Sequence, residues 1–357
     1  MSAVKSLNRR ELIKSGLTLA AIGCGGGVLS APMDARKAHA SGMLNVTHFG
    51  GPYAALDQLV AAPFAEAGLG NVVYLQETTG SASAKLQSER DSPSFDICMM
   101  SRSGSLRAAN AGLLARLDLD KIPEAANVYP DAFLDGDAGL SYLVDTIEFI
   151  YDTDQAGDIE TWLDLWRPEF AGKIALPAST VALPLYILPM VARALGGHET
   201  DPAAIDEAFE RLVALKPAVR TFVTDPIQTT TLIERGEIAI APHYGIRMAP
   251  SLLQYANLRR GTPKEGAVGS PYDLCIAVNS PSIELAHTYL NFVVAKEQQD
   301  RLAAEMLATT VNRDLTLPPE RADLVMTDFE SLAFIDEELL AERRNDWLER
   351  WRRDVQS

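Results

Sequence analysis

From Leu44 onward, short apolar runs alternate with segments of helical periodicity, and this alternation constrains the fold more than any other feature of the chain. Strand, helix, strand in that order closes as a mainly parallel sheet with helices on its faces, so an α/β architecture is expected. The first three strands are predicted at 44–49, 72–76 and 95–99, with helices after them at 54–67, 82–88 and 106–111. Between each strand and its helix stands a small or polar loop: Gly50-Gly51-Pro52-Tyr53, Thr78-Thr79-Gly80-Ser81 and Ser101-Arg102-Ser103-Gly104. Ligands in open α/β sheets sit at the carboxyl ends of strands, so these loops are candidate ligand loops on one edge.

The run 140–152 is apolar enough to be a strand crossing between two lobes, and a second α/β unit follows it. Its strands are predicted at 173–176, 220–223 and 237–241. Its helices are 183–195, 203–215 with Asp201 as cap and Pro202 at the first position, and 227–235, with Asp225-Pro226 reading as an ordinary cap. A strand at 273–278 returns to the first lobe, and a helix at 283–294 follows Ser280-Pro281.

The first forty residues read differently. Arg9-Arg10 precede a glycine-broken apolar run from Ser15 to Ala31, and Ala38-His39-Ala40 closes the segment as a cleavage site. These are the parts of a twin-arginine export signal, with cleavage after Ala40 and a periplasmic product. Gly23, Gly25, Gly26 and Gly27 interrupt the run short of a membrane span, and Ala21 before Cys24 is small for a lipoprotein site. Beyond residue 40 the formal charge is about −20, which repels phosphate backbones and argues against nucleic-acid binding. Some 317 residues exceed what one core usually organises, so two lobes are the default. Cys98 and Cys275 sit in similar apolar contexts and read as two buried thiols, with a disulfide as the alternative if their strands are neighbours.

Several segments resemble the periplasmic solute-binding proteins of the spermidine/putrescine type, which belong to extracellular solute-binding protein family 1. The strongest is Thr161-Trp162-Leu163-Asp164-Leu165-Trp166-Arg167-Pro168-Glu169-Phe170-Ala171-Gly172-Lys173. Gly50-Gly51-Pro52-Tyr53, Ala111-Gly112-Leu113-Leu114 with Leu117-Asp118, the run 232–241 leading into His243-Tyr244-Gly245, and Asp346-Trp347-Leu348-Glu349-Arg350-Trp351 add to it. The resemblance implies a type II periplasmic-binding-protein fold, two lobes each built on a mainly parallel sheet flanked by helices, with residues 41–147 plus 272–311 in one and 148–271 plus 312–357 in the other. It implies a monomer without cofactor or metal that closes by hinge motion over a small amine-bearing solute and delivers it to the membrane permease of an ABC importer.

Candidate ligand contacts are Tyr53, Ser81, Ser101, Arg102, Glu148, Ser179, Thr180, Tyr244, Arg247, Tyr272 and Asp273. In polyamine binders of this type, carboxylates hold the ammonium groups and rings stack on the methylenes. Here Pro177-Ala178-Ser179-Thr180-Val181-Ala182 carries no carboxylate where such proteins place acidic residues, and Tyr272 stands at the place of an aspartate. Arg102 and Arg247 suit a carboxylate or phosphonate, so a zwitterion such as an ω-amino acid or aminophosphonate is a second reading beside a polyamine. Glu148 lies in an apolar crossing where an unpaired carboxylate is costly, so a partner or a ligand is expected beside it and a cleft role is favoured. A secreted hydrolase is the reading of another class, but the chain has no Gly-x-Ser-x-Gly elbow, phosphate loop or His-Glu-x-x-His helix, and no Tyr-Tyr pair of the iron-carrier kind. Replacing both Arg9 and Arg10 by lysine is expected to stop export and with it the appearance of a mature form starting at Ser41. N-terminal sequencing of the exported protein checks this, and undiminished export excludes the twin-arginine route.

Overall fold

The computed structural model describes residues 42–357 apart from 262, 323, 327 and 328. The expected signal, with Arg9, Arg10, Cys24 and the site after Ala40, lies outside the described residues. The strands are β1 (Met43–His48), β2 (Asn71–Gln76), β3 (Ile97–Ser101), β4 (Leu140–Asp152), β5 (Ile174–Pro177), β6 (Val219–Val223), β7 (Ile240–Tyr244), β8 (Leu258–Gly261), β9 (Val268–Ile276) and β10 (Thr309–Thr310). They form one sheet in the order β2-β1-β3-β9-β4-β7-β5-β6, with β8 and β10 also paired to β4.

Two parallel blocks, β2-β1-β3 and β7-β5-β6, are joined by the antiparallel pair β9-β4. All 13 residues of β4 are buried. Along it the side chains pass from one apolar core to another: Leu140, Leu143 and Val144 pack with β1, β3 and the helix Ile283–Val294, whereas Ile147, Phe149 and Tyr151 pack with β5, Trp162 and Trp351. β9 makes the same passage in reverse, from Val268 in the second core to Leu274 and Ile276 in the first.

The helices that matter below are α1 (Thr79–Ser88), α2 (Arg102–Asn110), α3 (Pro184–Ala194), α4 (Pro202–Leu215), α5 (Pro226–Glu234), α6 (Gly245–Gln254), α7 (Ile283–Val294), α8 (Lys296–Met306) and α9 (Glu337–Arg350). Asp201 and Asp225 cap α4 and α5 by accepting from the Ala203 and Ile227 amides at 2.9 and 2.8 Å, as their position before proline implies. The expected helix at 54–67 is instead a succession of short helical turns of changing type, Gly51–Ala55, Asp57–Ala61 and Ala62–Glu66. β9 starts five residues before its expected first residue, Asp273, because Gly269-Ser270-Pro271, which reads as a turn, stays in register with Thr146, Asp145 and Val144.

One buried side chain ties three elements of the core together. The Gln299 side chain donates to the Tyr142 and Val293 carbonyls and accepts from the Val311 amide, and so pins β10 and α8 to β4. Cys98 lies directly opposite Cys275 across β3 and β9, and both are buried free thiols. No helix among the described residues is long and apolar enough to cross a membrane.

Candidate functional site

The carboxyl ends of the parallel strands of both blocks open onto one cavity of about 650 Å³, a size typical of small-molecule sites. From the first block come Phe49 after β1, Thr78, Thr79 and Gly80 after β2, Ser101 at the end of β3, and Ser103 and Arg107 beyond it. From the second come Ala182, Leu185 and Tyr186 beyond β5, and Tyr244 and Arg247 at the end of β7 and the start of α6. β9 adds Ser270 and Tyr272, and α9 adds Glu337, Leu340, Ala341 and Arg344.

The helix starts of the first wall are locked together. Thr78 and Ser81 form a reciprocal cap, the Ser81 amide donating to Thr78 Oγ1 at 3.1 Å and the Thr78 amide to Ser81 Oγ at 2.9 Å. Thr79 Oγ1 accepts from the Ser101 amide at 3.1 Å, tying α1 to α2. A β-carbon on Gly104 would come within 2.1 Å of Thr79 Cγ2, so the close approach of these helices requires glycine there.

Tyr272 is the cavity's most firmly positioned ring. It packs edge-to-face against Phe49 at 5.0 Å and Tyr53 at 5.7 Å, and its hydroxyl donates to Asp145 Oδ2 at 3.2 Å. Asp145 in turn accepts from the Ile246 amide at 2.9 Å, which fixes the start of α6. Burial pushes the Tyr272 hydroxyl well above the usual phenol range and raises Tyr244 to about 12, so both remain neutral.

The candidates named from sequence divide into four groups. Ser101, Tyr244, Arg247 and Tyr272 line the cavity together. Tyr53 stands one layer behind, against Phe49 and Tyr272, while Ser81 serves the cap of α1. Ser179 and Thr180 lie in the turn after β5, where the Ser179 amide donates to Gln356 Oε1 at 3.0 Å.

Arg102, Asp273 and Glu148 are engaged inside the protein. Arg102 pairs with Asp273 at 3.0 Å and donates to Ser141 Oγ at 2.7 Å and to the carbonyls of Asp131, Ala132 and Phe133. Glu148, fully buried, pairs with Arg260 at 3.2 Å and accepts from Thr146 Oγ1 at 2.7 Å, and Arg260 also donates to the Leu307 carbonyl. Burial raises the Glu148 and Asp273 carboxyls, and their arginine partners oppose the shift. His243 is likewise buried, its ring nitrogens facing the Tyr244 and Pro226 carbonyls.

Three guanidiniums remain at the cavity. Among the described residues, Arg107, Arg247 and Arg344 have no carboxylate within 4.0 Å. Arg247 lies 6.0 Å from the centre of the Tyr244 ring and reaches toward Gly51. Arg107, Arg344 and Glu337 escape the sequence reading. The spacing 337, 340, 341, 344 on one helical face is a legible signal, but nothing local tells that this face meets a cavity.

A model of the bacterial extracellular solute-binding proteins matches residues 92–332. The chain belongs to that family. Its members are solute-binding components of ABC importers, partners of a membrane permease rather than enzymes. The spermidine/putrescine-binding periplasmic protein 1 of Haemophilus influenzae is 27% identical over 254 residues, covering 69% of each chain. The gamma-aminobutyric acid-binding protein of Pseudomonas aeruginosa is 26% identical over 262 residues, covering 72% of this chain and 73% of its own. The crystal structure of a spermidine/putrescine ABC transporter substrate-binding protein from Streptococcus pneumoniae superposes with a TM-score of 0.73 at 20% identity, over 88% of this chain and 100% of that one. The fold is that of the type II periplasmic binding proteins.

The buried Glu148–Arg260 pair yields a stability test. Arg260→Met leaves a fully buried carboxylate without its cation and is expected to cost about 3–5 kcal/mol in urea unfolding, most of it recovered in the double variant with Glu148→Gln. A loss below about 1 kcal/mol in the single variant contradicts the pairing.

Proposed function

We propose that this chain is the periplasmic, monomeric solute-binding component of an ABC importer, exported by the twin-arginine route, and that it captures a small solute bearing both an amine and an acidic group. Two lobes, 41–147 plus 272–311 and 148–271 plus 312–357, close on the solute about β4 and β9. Closure follows because a solute touching both walls favours the closed state by its differential affinity.

The carrying observation is the charge of the cavity wall. Arg107, Arg247 and Arg344 stand against a single carboxylate, Glu337. An unmodified polyamine would meet three like charges, whereas a carboxylate or phosphonate would be paired by them. Leu185, Leu340 and the rings of Phe49, Tyr186, Tyr244 and Tyr272 supply apolar faces for a short methylene chain. The solutes for which the relatives are named, spermidine/putrescine and gamma-aminobutyric acid, share an amine, and the arginines favour the second of these solute types.

Calorimetry separates the readings. Arg247→Ala or Arg344→Ala is expected to weaken γ-aminobutyrate by about 10- to 150-fold, the loss of one charge-assisted contact, while putrescine binding holds or tightens. Unchanged γ-aminobutyrate binding in both variants overturns the acidic-group reading.

A further inference from the structure

We propose that Glu337 selects for an amine on the solute, an assignment that rests on the cavity being the solute site. It is the sole carboxylate among the residues that line this cavity. Its position is set by Asp336, which caps α9 by accepting from the Glu338 and Leu339 amides at 2.9 and 3.0 Å and leaves Glu337 as the first residue of the helix.

Glu337 is half-buried, and among the described residues no cation lies within ion-pair distance of it. Ser103, at the start of α2, is the polar side chain that faces it from that helix. The charged and titratable groups that face it are Arg102 and Arg107 of α2, Asp273 of β9 and Tyr186 of α3. Arg102 is already committed to Asp273, and Arg107 is exposed to solvent. A carboxylate partly stripped of water and lacking a fixed cation gains most from a mobile one, and a ligand ammonium is that cation.

Glu337 and Arg344 share one face of α9, two turns or about 10 Å of axis rise apart. That spacing leaves room for a short methylene chain between an ammonium and an acid group. Amine recognition requires the ionised form. Burial raises the Glu337 carboxyl above its ordinary value, so affinity for amines should be full at neutral pH and fall as pH drops through that raised value.

The test compares E337Q with the wild type by calorimetry, using γ-aminobutyrate, putrescine and glutarate, a diacid without an amine. E337Q is expected to weaken γ-aminobutyrate and putrescine, to reduce the preference for γ-aminobutyrate over glutarate by about 10- to 150-fold, and to abolish the acid-side loss of amine affinity. Unchanged amine affinity in E337Q, or an equal loss for all three solutes, overturns the role of Glu337 while the cavity stands. A wild-type protein that binds none of the three overturns both the role and the solute site.

Discussion

The antiparallel pairing of β9 with β4 is the constraint on which the rest of the structure depends. Every neighbour pair within the two blocks is parallel, and a parallel block presents its ligand loops at one end only. Joining the blocks through two long strands that run from one apolar core into the other sets those two ends facing each other. The cavity is the space between them. The polar residues of β4 reinforce this arrangement. Asp145 holds Tyr272 and the start of α6, and Glu148, three residues further along the strand, holds Arg260.

Charge placement follows from which arginines are already used. Arg102 and Arg260 neutralise buried carboxylates, and each also donates to backbone carbonyl oxygen, three for Arg102 and the Leu307 carbonyl for Arg260, so their charge is already committed inside the protein. Arg107, Arg247 and Arg344 have no such commitment, and among the described residues no carboxylate lies within 4.0 Å of them. In a protein whose net charge is strongly negative, a wall of this sign is a local exception and marks what the cavity is built to take.

Much of the fold is legible in the sequence because its signals are local. The apolar run of β4 and the periodicity of α7 give their bounds directly, and Asp201-Pro202 and Asp225-Pro226 mark helix starts that the structure reproduces. α6 is hidden because it opens on Gly245 and contains Pro250, both of which read as breaks. The site is less legible. Arg102 and Arg107 lie on the same helix, and their sequence contexts do not distinguish them; the difference is made by Asp273, brought beside Arg102 by the β3–β9 pairing. Glu337 and Arg344 sit on a helix rich in charge, whose cavity face is fixed by packing on α2 and α3 rather than by its own pattern.

The charge assignment of the cavity is tested most directly by a crystal structure of the protein with γ-aminobutyrate. The solute is expected between the two walls, its carboxylate within about 3 Å of the Arg247 or Arg344 guanidinium and its amine within about 3 Å of the Glu337 carboxylate. A solute bound outside this cavity, or one whose amine points at the arginines, contradicts that assignment.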